Sequence, residues 1–233
     1  MVKAAIEAGV KRLVFFSTIA VYGNSNGKIL TEESPTHPDT FYAKTKLAAE
    51  RIVLDAKRKD GCPLGTVLRV GAIYGARVKG NYQRLIQALA QGRFIPVGDG
   101  RNRRTLIYDC DVGKAALLAA EHPGAAGKIF NVSDGQFHTL KEIIVAICDA
   151  LGRNPPRFSV PVGPARFMAG LMEDTFRLVG RKSPIGCDTI DKYTEDIAVD
   201  SQLIQKKLGF KPEFDLKMGW EETVNEIQKT GLL

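Results

Sequence analysis

The apolar positions of this chain change their period several times, and each change predicts an element. Val2, Ala5, Ile6 and Gly9 recur at helical spacing, so the first segment, Met1 to Gly9, reads as the back half of an amphipathic helix with no N-cap before it. Leu13-Val14-Phe15-Phe16 is a continuous apolar run that suits a strand buried on both faces of a parallel sheet. Polar and turn residues fill 24 to 40. From about Thr40 to Lys59 one apolar stripe of Ala43, Leu47, Ala48, Ile52 and Val53 predicts a helix, which Gly61 to Pro63 breaks. Gly65-Thr66-Val67-Leu68-Arg69-Val70 is a second buried strand, ended by Gly71. Strand, helix and strand in this order form a right-handed parallel crossover, the unit of a doubly wound α/β sheet.

The pattern then predicts a helix over 81 to 92, a short strand from Phe94 to Val97, and a strand near Thr105 to Tyr108. A helix from Asp111 to Glu121 follows, with Asp111 as its N-cap, and then a strand at Ile129 to Val132. Thr139 to Leu151 is a helix with a capping box, Thr139 with Glu142. The Pro-rich stretch from Asn154 to Pro164 marks a change of character. It divides the chain into a main part, 1–153, and a smaller α/β lobe, 154–233, to which 71–110 partly contribute. The lobe carries helices near Pro164–Leu178, Ser201–Leu208 and Leu216–Gln228, the last with a packing stripe of Leu216, Trp220, Val224 and Ile227.

Composition narrows the class. With 233 residues, 44% hydrophobic and 25% charged, the chain is an ordinary globular one, neither disordered nor collagenous. No apolar run approaches the roughly 18 needed to span a membrane, and Met1 to Gly9 lacks a secretory core, so a soluble, cytoplasmic protein is expected. Cys62, Cys110, Cys148 and Cys187 stand far apart without metal-ligand spacing, and reduced, partly buried thiols are expected. His37, His122 and His138 share no ligand spacing either, so no metal is expected. The net charge is +7, yet the basic residues are dispersed and no aromatic residues interleave with them. That argues against nucleic acid and leaves an anionic small molecule open. Arg101, Arg103 and Lys192 read as solvated surface charges.

Three residues carry candidate chemistry. Thr18 lies just past the first strand, while Tyr42 and Lys46 lie four apart on the next helix and so share a face. An ammonium beside a phenol favours the phenolate, which makes Tyr42 a usable general acid or base. Thr18 would hold a substrate oxygen near it, at the strand end where open α/β sheets bind ligands.

In this setting the chain resembles the extended short-chain dehydrogenase/reductases, and within them the NAD-dependent epimerase/dehydratase group. Ser17-Thr18-Ile19-Ala20-Val21-Tyr22-Gly23 and Tyr42-Ala43-Lys44-Thr45-Lys46 match its two signature segments. Leu68 to Gly75, Arg104 to Val112, Phe130 to Ser133 and Leu208 to Pro212 match further strings in order. The resemblance implies a Rossmann-type lobe for a nicotinamide cofactor, NAD or NADP, and a small lobe for a nucleotide sugar. It implies Tyr42 as acid/base, Lys46 and Ser17 with Tyr42 at the cofactor, Thr18 at the substrate and Arg104 at its diphosphate. A homodimer through the Tyr42 helix is implied as well.

The match departs in three places. No Gly-x-Gly-x-x-Gly or Gly-x-x-Gly-x-x-Gly occurs, so the pyrophosphate-binding half of the sheet is expected to be missing. The chain then holds a partial Rossmann-type sheet with exposed apolar surface, and binds a dinucleotide poorly. Ile19 and Ala20 stand where dehydratases carry an Asp-Glu pair, which disfavours dehydration and leaves 4-epimerisation or 4-ketone reduction. Ala72 and Thr189 stand where 4-epimerases carry phosphate contacts. The competing expectation is a non-catalytic remnant that binds a nucleotide phosphate or a partner chain.

Overall fold

The computed structural model describes residues 1–77, 80–178, 180, 181, 183 and 186–230. Helix α1 (Val2–Glu7) leads into strand β1 (Leu13–Thr18). Thr18 then caps a 3₁₀ turn, Ile19–Tyr22, by accepting from Ala20 N at 3.2 Å. Helix α2 (Phe41–Asp55) starts where Thr40 Oγ1 accepts from Ala43 N. It ends at Asp55 and not at Lys59, because Ala56 becomes extended and its carbonyl accepts from Leu64 N at 2.9 Å. Strand β2 (Gly65–Val70) is buried throughout.

Gly71 does not end the extended chain as expected. It hands it from one ladder to another: Gly71 N donates to Val132 O and Ala72 N to Thr105 O, both at 2.9 Å, and strand β3 (Ala72–Tyr74) follows. A Cβ at 71 would lie 2.9 Å from the Thr105 carbonyl oxygen, so only glycine permits this crossing. Helix α3 (Asn81–Ala90), strands β4 (Arg103–Arg104) and β5 (Leu106–Tyr108), and helix α4 (Asp109–Glu121) come next. The expected strand at Phe94 to Val97 is reduced to one bridge, Val97 to Val160, since Pro96 has no N–H to continue a ladder.

Asp111 is not an N-cap. It sits inside the first turn of α4, fully buried, and its Oδ2 accepts from the backbone N–H groups of Glu213 and Phe214 at 3.0 and 3.1 Å. Strands β6 (Ile129–Val132) and β7 (His138–Thr139) precede helix α5 (Leu140–Ala150), whose capping box is present as expected. The remaining helices are α6 (Val162–Leu178), α7 (Cys187–Thr194), α8 (Gln202–Leu208) and α9 (Leu216–Lys229). Of these, α7 has no counterpart in the sequence-based expectation.

β1, β2 and β6 form a parallel sheet in that order. Among the described residues β1 is therefore the edge of the sheet, and Phe16, 42% exposed, is part of the exposed apolar surface expected of a partial sheet, while the expectation of a strand buried on both faces is corrected. In register across the sheet, Ser17 pairs with Arg69 and Arg69 with Asn131, so one polar row crosses all three strands. Glu50 of α2 descends on this row. Arg69 donates from Nε and Nη2 to its carboxylate, the latter at 2.7 Å, and Ser17 Oγ donates to Oε1. Arg69 Nη1 donates to Tyr22 Oη at 2.9 Å, and Tyr22 Oη to Asn131 Oδ1 at 2.8 Å. Burial pushes the Tyr22 phenol up, which keeps it protonated as that donor at neutral pH. The apolar stripe expected on α2 is corrected accordingly: Ile52 and Ala48 are exposed, and Glu50 takes the buried position.

There are two larger cores, one on this sheet and one on the parallel β3–β5 ladder. One joins Leu68, Val70 and Phe130 to Ala115 of α4 and to Ile204, Leu208 and Phe210. The other joins Tyr74, Leu106 and Tyr108 to α5 and α9, where Trp220 stacks on Tyr74 with ring centroids 4.4 Å apart. Trp220, Val224 and Ile227 form the expected packing stripe. Among the cysteines, Cys148 is buried, but Cys62 and Cys110 are exposed because they lie on a turn and on the outer face of α4.

The segment from Glu195 to Asp200 ties distant loops together. Asp196 accepts from Arg103 N, Arg103 Nη2 and Ser25 Oγ, each at 2.7 Å. Arg103 is thus an ion-pair partner and not a solvated charge, and it holds the Asp196 carboxyl well below the usual carboxylate range. Thr105 Oγ1 donates to Ile197 O and accepts from Val199 N, and Leu30 N donates to Ala198 O.

Two stability predictions follow from these pairs. Arg69→Met leaves Glu50 charged and buried and is expected to cost about 3–5 kcal/mol in urea unfolding. The double variant Glu50→Leu/Arg69→Met recovers most of that loss, and equal losses in the single and double variants would contradict the pairing. Asp196→Asn costs about 2 kcal/mol at pH 7. A depressed carboxylate stabilises fully above its unfolded value near 3.9 and loses that contribution as pH falls toward its folded value. The gap between wild type and Asp196→Asn therefore closes progressively below about pH 4.

Candidate functional site

Tyr42, Lys46 and Glu50 lie four apart on α2 and so share one face of the helix. Glu50 is locked into the polar row, which fixes the rotation of α2 about its axis. The two residues N-terminal to it are thereby carried to the C-terminal end of β1. Lys46 Nζ donates to Phe16 O at 2.8 Å and stands 5.0 Å from the Phe15 ring centroid and 5.7 Å from that of Tyr42. Peptide groups alternate sides along a strand. Leu13 N donates to Leu64 O on the β2 side, so the Phe16 carbonyl points to the open edge of the sheet, and Lys46 caps it there. Tyr42 is 55% exposed. The ammonium and the phenol are thus together, facing solvent beside the edge of a parallel sheet.

Thr18 ends β1 at the same side, and α2 packs against both β1 and the turn that Thr18 caps. Its Oγ1 accepts from Ala20 N, and a hydroxyl that accepts still has its own proton to donate. Ile19 and Ala20 occupy that turn, and Ile19 is buried. Ser17 is one residue earlier and faces the other way: it is buried, with its hydroxyl committed to Glu50. Arg104 lies elsewhere. It sits on β4, opposite His138 of β7, and its Nη2 donates to Lys192 O at 2.6 Å and Tyr193 O at 2.9 Å at the end of α7. Among the described residues no hydrogen bond links Arg104 to the Tyr42–Lys46 pair.

His138 Nε2 is 2.7 Å from Asp134 Oδ2, His122 Nδ1 accepts from Gly124 N, and His37 is exposed. No group of three or more potential metal ligands occurs among the described residues. No described helix is long and apolar enough to cross a membrane.

The residues that sequence reading missed are Glu50 and Arg69. Each carried a signal: an acidic residue continuing the four-residue spacing of Tyr42 and Lys46, and a lone arginine inside an otherwise apolar strand.

Against known proteins, the model of the NAD dependent epimerase/dehydratase family matches residues 1–133. The chain is 28% identical over 226 residues to the UDP-glucose 4-epimerase of Vibrio cholerae, covering 96% of this chain and 65% of that protein. It is 25% identical over 226 residues to the N-acetyl-alpha-D-glucosaminyl-diphospho-ditrans,octacis-undecaprenol 4-epimerase of Escherichia coli O157:H7, covering 96% and 67%. Its fold matches the crystal structure of the Thermotoga maritima UDP-glucose 4-epimerase with UDP-glucose at a TM-score of 0.73 and 24% identity, over 98% of this chain and 67% of the other. The chain therefore spans about two thirds of the length of these relatives. With its parallel α/β sheet and its Tyr42–Lys46 pair at the strand ends, the chain belongs to the NAD dependent epimerase/dehydratase family.

Proposed function

We propose that the chain is the acid/base and substrate-holding part of a nicotinamide-dependent 4-epimerase or related 4-ketoreductase acting on a nucleotide sugar. The observation that carries this reading is the Lys46 ammonium beside the exposed Tyr42 phenol at the end of β1. In the forward step the C4 hydroxyl loses its proton to Tyr42 Oη as the C4–H bond gives up a hydride, leaving a ketone. Return of hydride to the opposite face, with the proton handed back from Tyr42, inverts the centre. Lys46 keeps a positive charge beside the Tyr42 ring, 5.7 Å from its centroid. The Thr18 hydroxyl holds the substrate oxygen within reach of Tyr42, and Arg104 offers a guanidinium to the diphosphate.

The cofactor, when bound, supplies the hydride acceptor and donor. Tyr42 and Lys46 suit its nicotinamide ribose, with a phenol and an ammonium side by side in solvent. Its pyrophosphate has no Gly-rich βα turn to meet in this sequence, where neither Gly-x-Gly-x-x-Gly nor Gly-x-x-Gly-x-x-Gly occurs. Ser17 contributes there through its backbone only, its hydroxyl being taken by Glu50. The cofactor side is assigned to 1–153 and the substrate side to 154–233 with part of 71–110. Dehydration is disfavoured because neither Ile19 nor Ala20 can protonate a leaving hydroxyl.

A panel of diphosphate-linked sugars, nucleoside- and lipid-linked, incubated with NAD or NADP tests this reading. Tyr42→Phe is expected to lower turnover by about 10²–10⁴-fold with unchanged unfolding, and Lys46→Met to lower it and raise the KM for the dinucleotide. Full activity in Tyr42→Phe would sink the assignment. In thermal shift, an accepted sugar diphosphate raises Tm while NAD and NADP alone leave it nearly unmoved.

A further inference from the structure

The end of β1 remote from Tyr42 carries an unbalanced set of cations. Lys11-Arg12 precedes β1, and Lys57-Arg58-Lys59 follows α2. After Ala56 the chain doubles back: Arg58 N donates to Cys62 O at 2.8 Å, Gly61 N to Arg58 O at 2.9 Å, and Leu64 N to Ala56 O. Leu64 O in turn accepts from Leu13 N, which lays this loop against the start of β1. On the other side Ala5 and Ile6 of α1 pack with Ala56 and Leu64, and Lys59 Nζ donates to Glu7 O at 3.3 Å. Between α1 and the loop lies a cavity of about 210 Å³, lined by Ile6, Gly9, Val10, Arg58, Lys59 and Asp60.

Its donors outnumber its acceptors. Arg58 Nη2 pairs with Asp60 Oδ2 at 2.9 Å, but Arg58 Nε is buried with no acceptor among the described residues. The remaining Asp60 oxygen is taken as well, since Oδ1 accepts from Cys62 N at 3.0 Å. Lys59 uses one of the three donors of an ammonium on the Glu7 carbonyl. Arg12 stands behind the lining, two residues past Val10, and its Nε and Nη1 are also buried without an acceptor among the described residues. Burial, and after it the Arg58 charge, pull Arg12 below its ordinary value. A guanidinium does not shed its proton at neutral pH, so these are charged donors held away from water, which is costly until an acceptor arrives.

The size of the cavity selects the acceptor. At about 210 Å³ it falls below the roughly 300–1,000 Å³ of sites for drug-sized ligands, yet it exceeds the share of one water, about 30 Å³, several times. A tetrahedral oxyanion with at most a small substituent fits that room. Guanidinium forks match phosphate oxygens in geometry and charge. Val10 is 39% exposed, which leaves a way in from solvent. From Leu13 to Thr18 the strand rises about 16 Å, so this cavity is separate from the Tyr42 site.

We propose that this cavity binds a phosphate group, free or carried on a small molecule, through Arg58 and Lys59, with Arg12 adding its charge from behind. The proposal depends neither on the chemistry assigned to Tyr42 nor on Arg104.

Thermal shift of the full chain in sodium phosphate against sodium chloride at equal ionic strength, with affinities from calorimetry, tests it. Phosphate is expected to raise Tm and chloride to leave it unmoved. Arg58→Met and Lys59→Met are expected to weaken phosphate by about tenfold or more, as loss of a charged contact does. Arg12→Met weakens phosphate too, and raises Tm in its absence because an unpaired, repelling guanidinium is gone; an arginine with a purely structural role would lower Tm. Arg101→Met removes the same charge from an exposed position, and it and Arg104→Ala leave phosphate affinity within about twofold. Glycerol 3-phosphate bound as tightly as phosphate identifies a phosphomonoester as the ligand, and glycerol 3-phosphate bound far more weakly identifies free phosphate. Equal Tm in phosphate and chloride would overturn the proposal. So would unchanged affinity in Arg58→Met, a fall of Tm in phosphate-free Arg12→Met, or a loss as large in Arg101→Met or Arg104→Ala.

Discussion

The buried ion pair between Glu50 and Arg69 is the contact on which the site depends. A charge in a sheet interior is tolerated only when it is paired and hydrogen-bonded, and here Ser17, Tyr22 and Asn131 complete the set around the pair. Because Ser17, Arg69 and Asn131 share one register row, the network spans all three strands and binds α2 to them. An apolar contact would have let α2 slide or roll. A bidentate carboxylate–guanidinium contact does not, and the helix face that bears Glu50 also bears Lys46 and Tyr42.

The consequence is felt at the open edge. β1 has β2 on one side only, so its outward carbonyls need other partners, and Lys46 serves the one at Phe16. The ammonium that positions next to Tyr42 is thus held by a strand edge as well as by its own helix. Fold completion and site chemistry meet at this residue, since anything that paired with the edge of β1 would compete for the same carbonyl.

The second half of the chain is organised by a different device. Residues 195–200 run as an extended strap, zipped by backbone and side-chain hydrogen bonds to the loops at Ser25–Leu30 and Asn102–Thr105. The strap follows α7 directly, so the Arg103–Asp196 pair and the Arg104 contacts to Lys192 and Tyr193 set that helix from adjacent residues of β4. One side of α7 then closes a small core with α6, and an apolar groove opens beside it.

Much of this was legible in the sequence, and the limits are physical. Periodicity gave the parallel crossover, the capped helix α5 and the Trp220 stripe, because burial of one face leaves a repeating trace. The four-residue spacing of Tyr42 and Lys46 placed the pair on one face before any coordinates. Local pattern could not say that Asp111 would cap a loop a hundred residues away or that Gly71 would carry the chain between ladders. Those outcomes depend on which segments meet. By itself the sequence determined the parallel crossover, most of the helices, the family and the candidate acid/base pair, since these follow from neighbours along the chain. Only the tertiary structure decided that Glu50 is buried while Ile52 is exposed, that Arg103 is paired, and that α6 and α7 leave an apolar groove beside them, because partners distant in sequence set the cost of burying each charge.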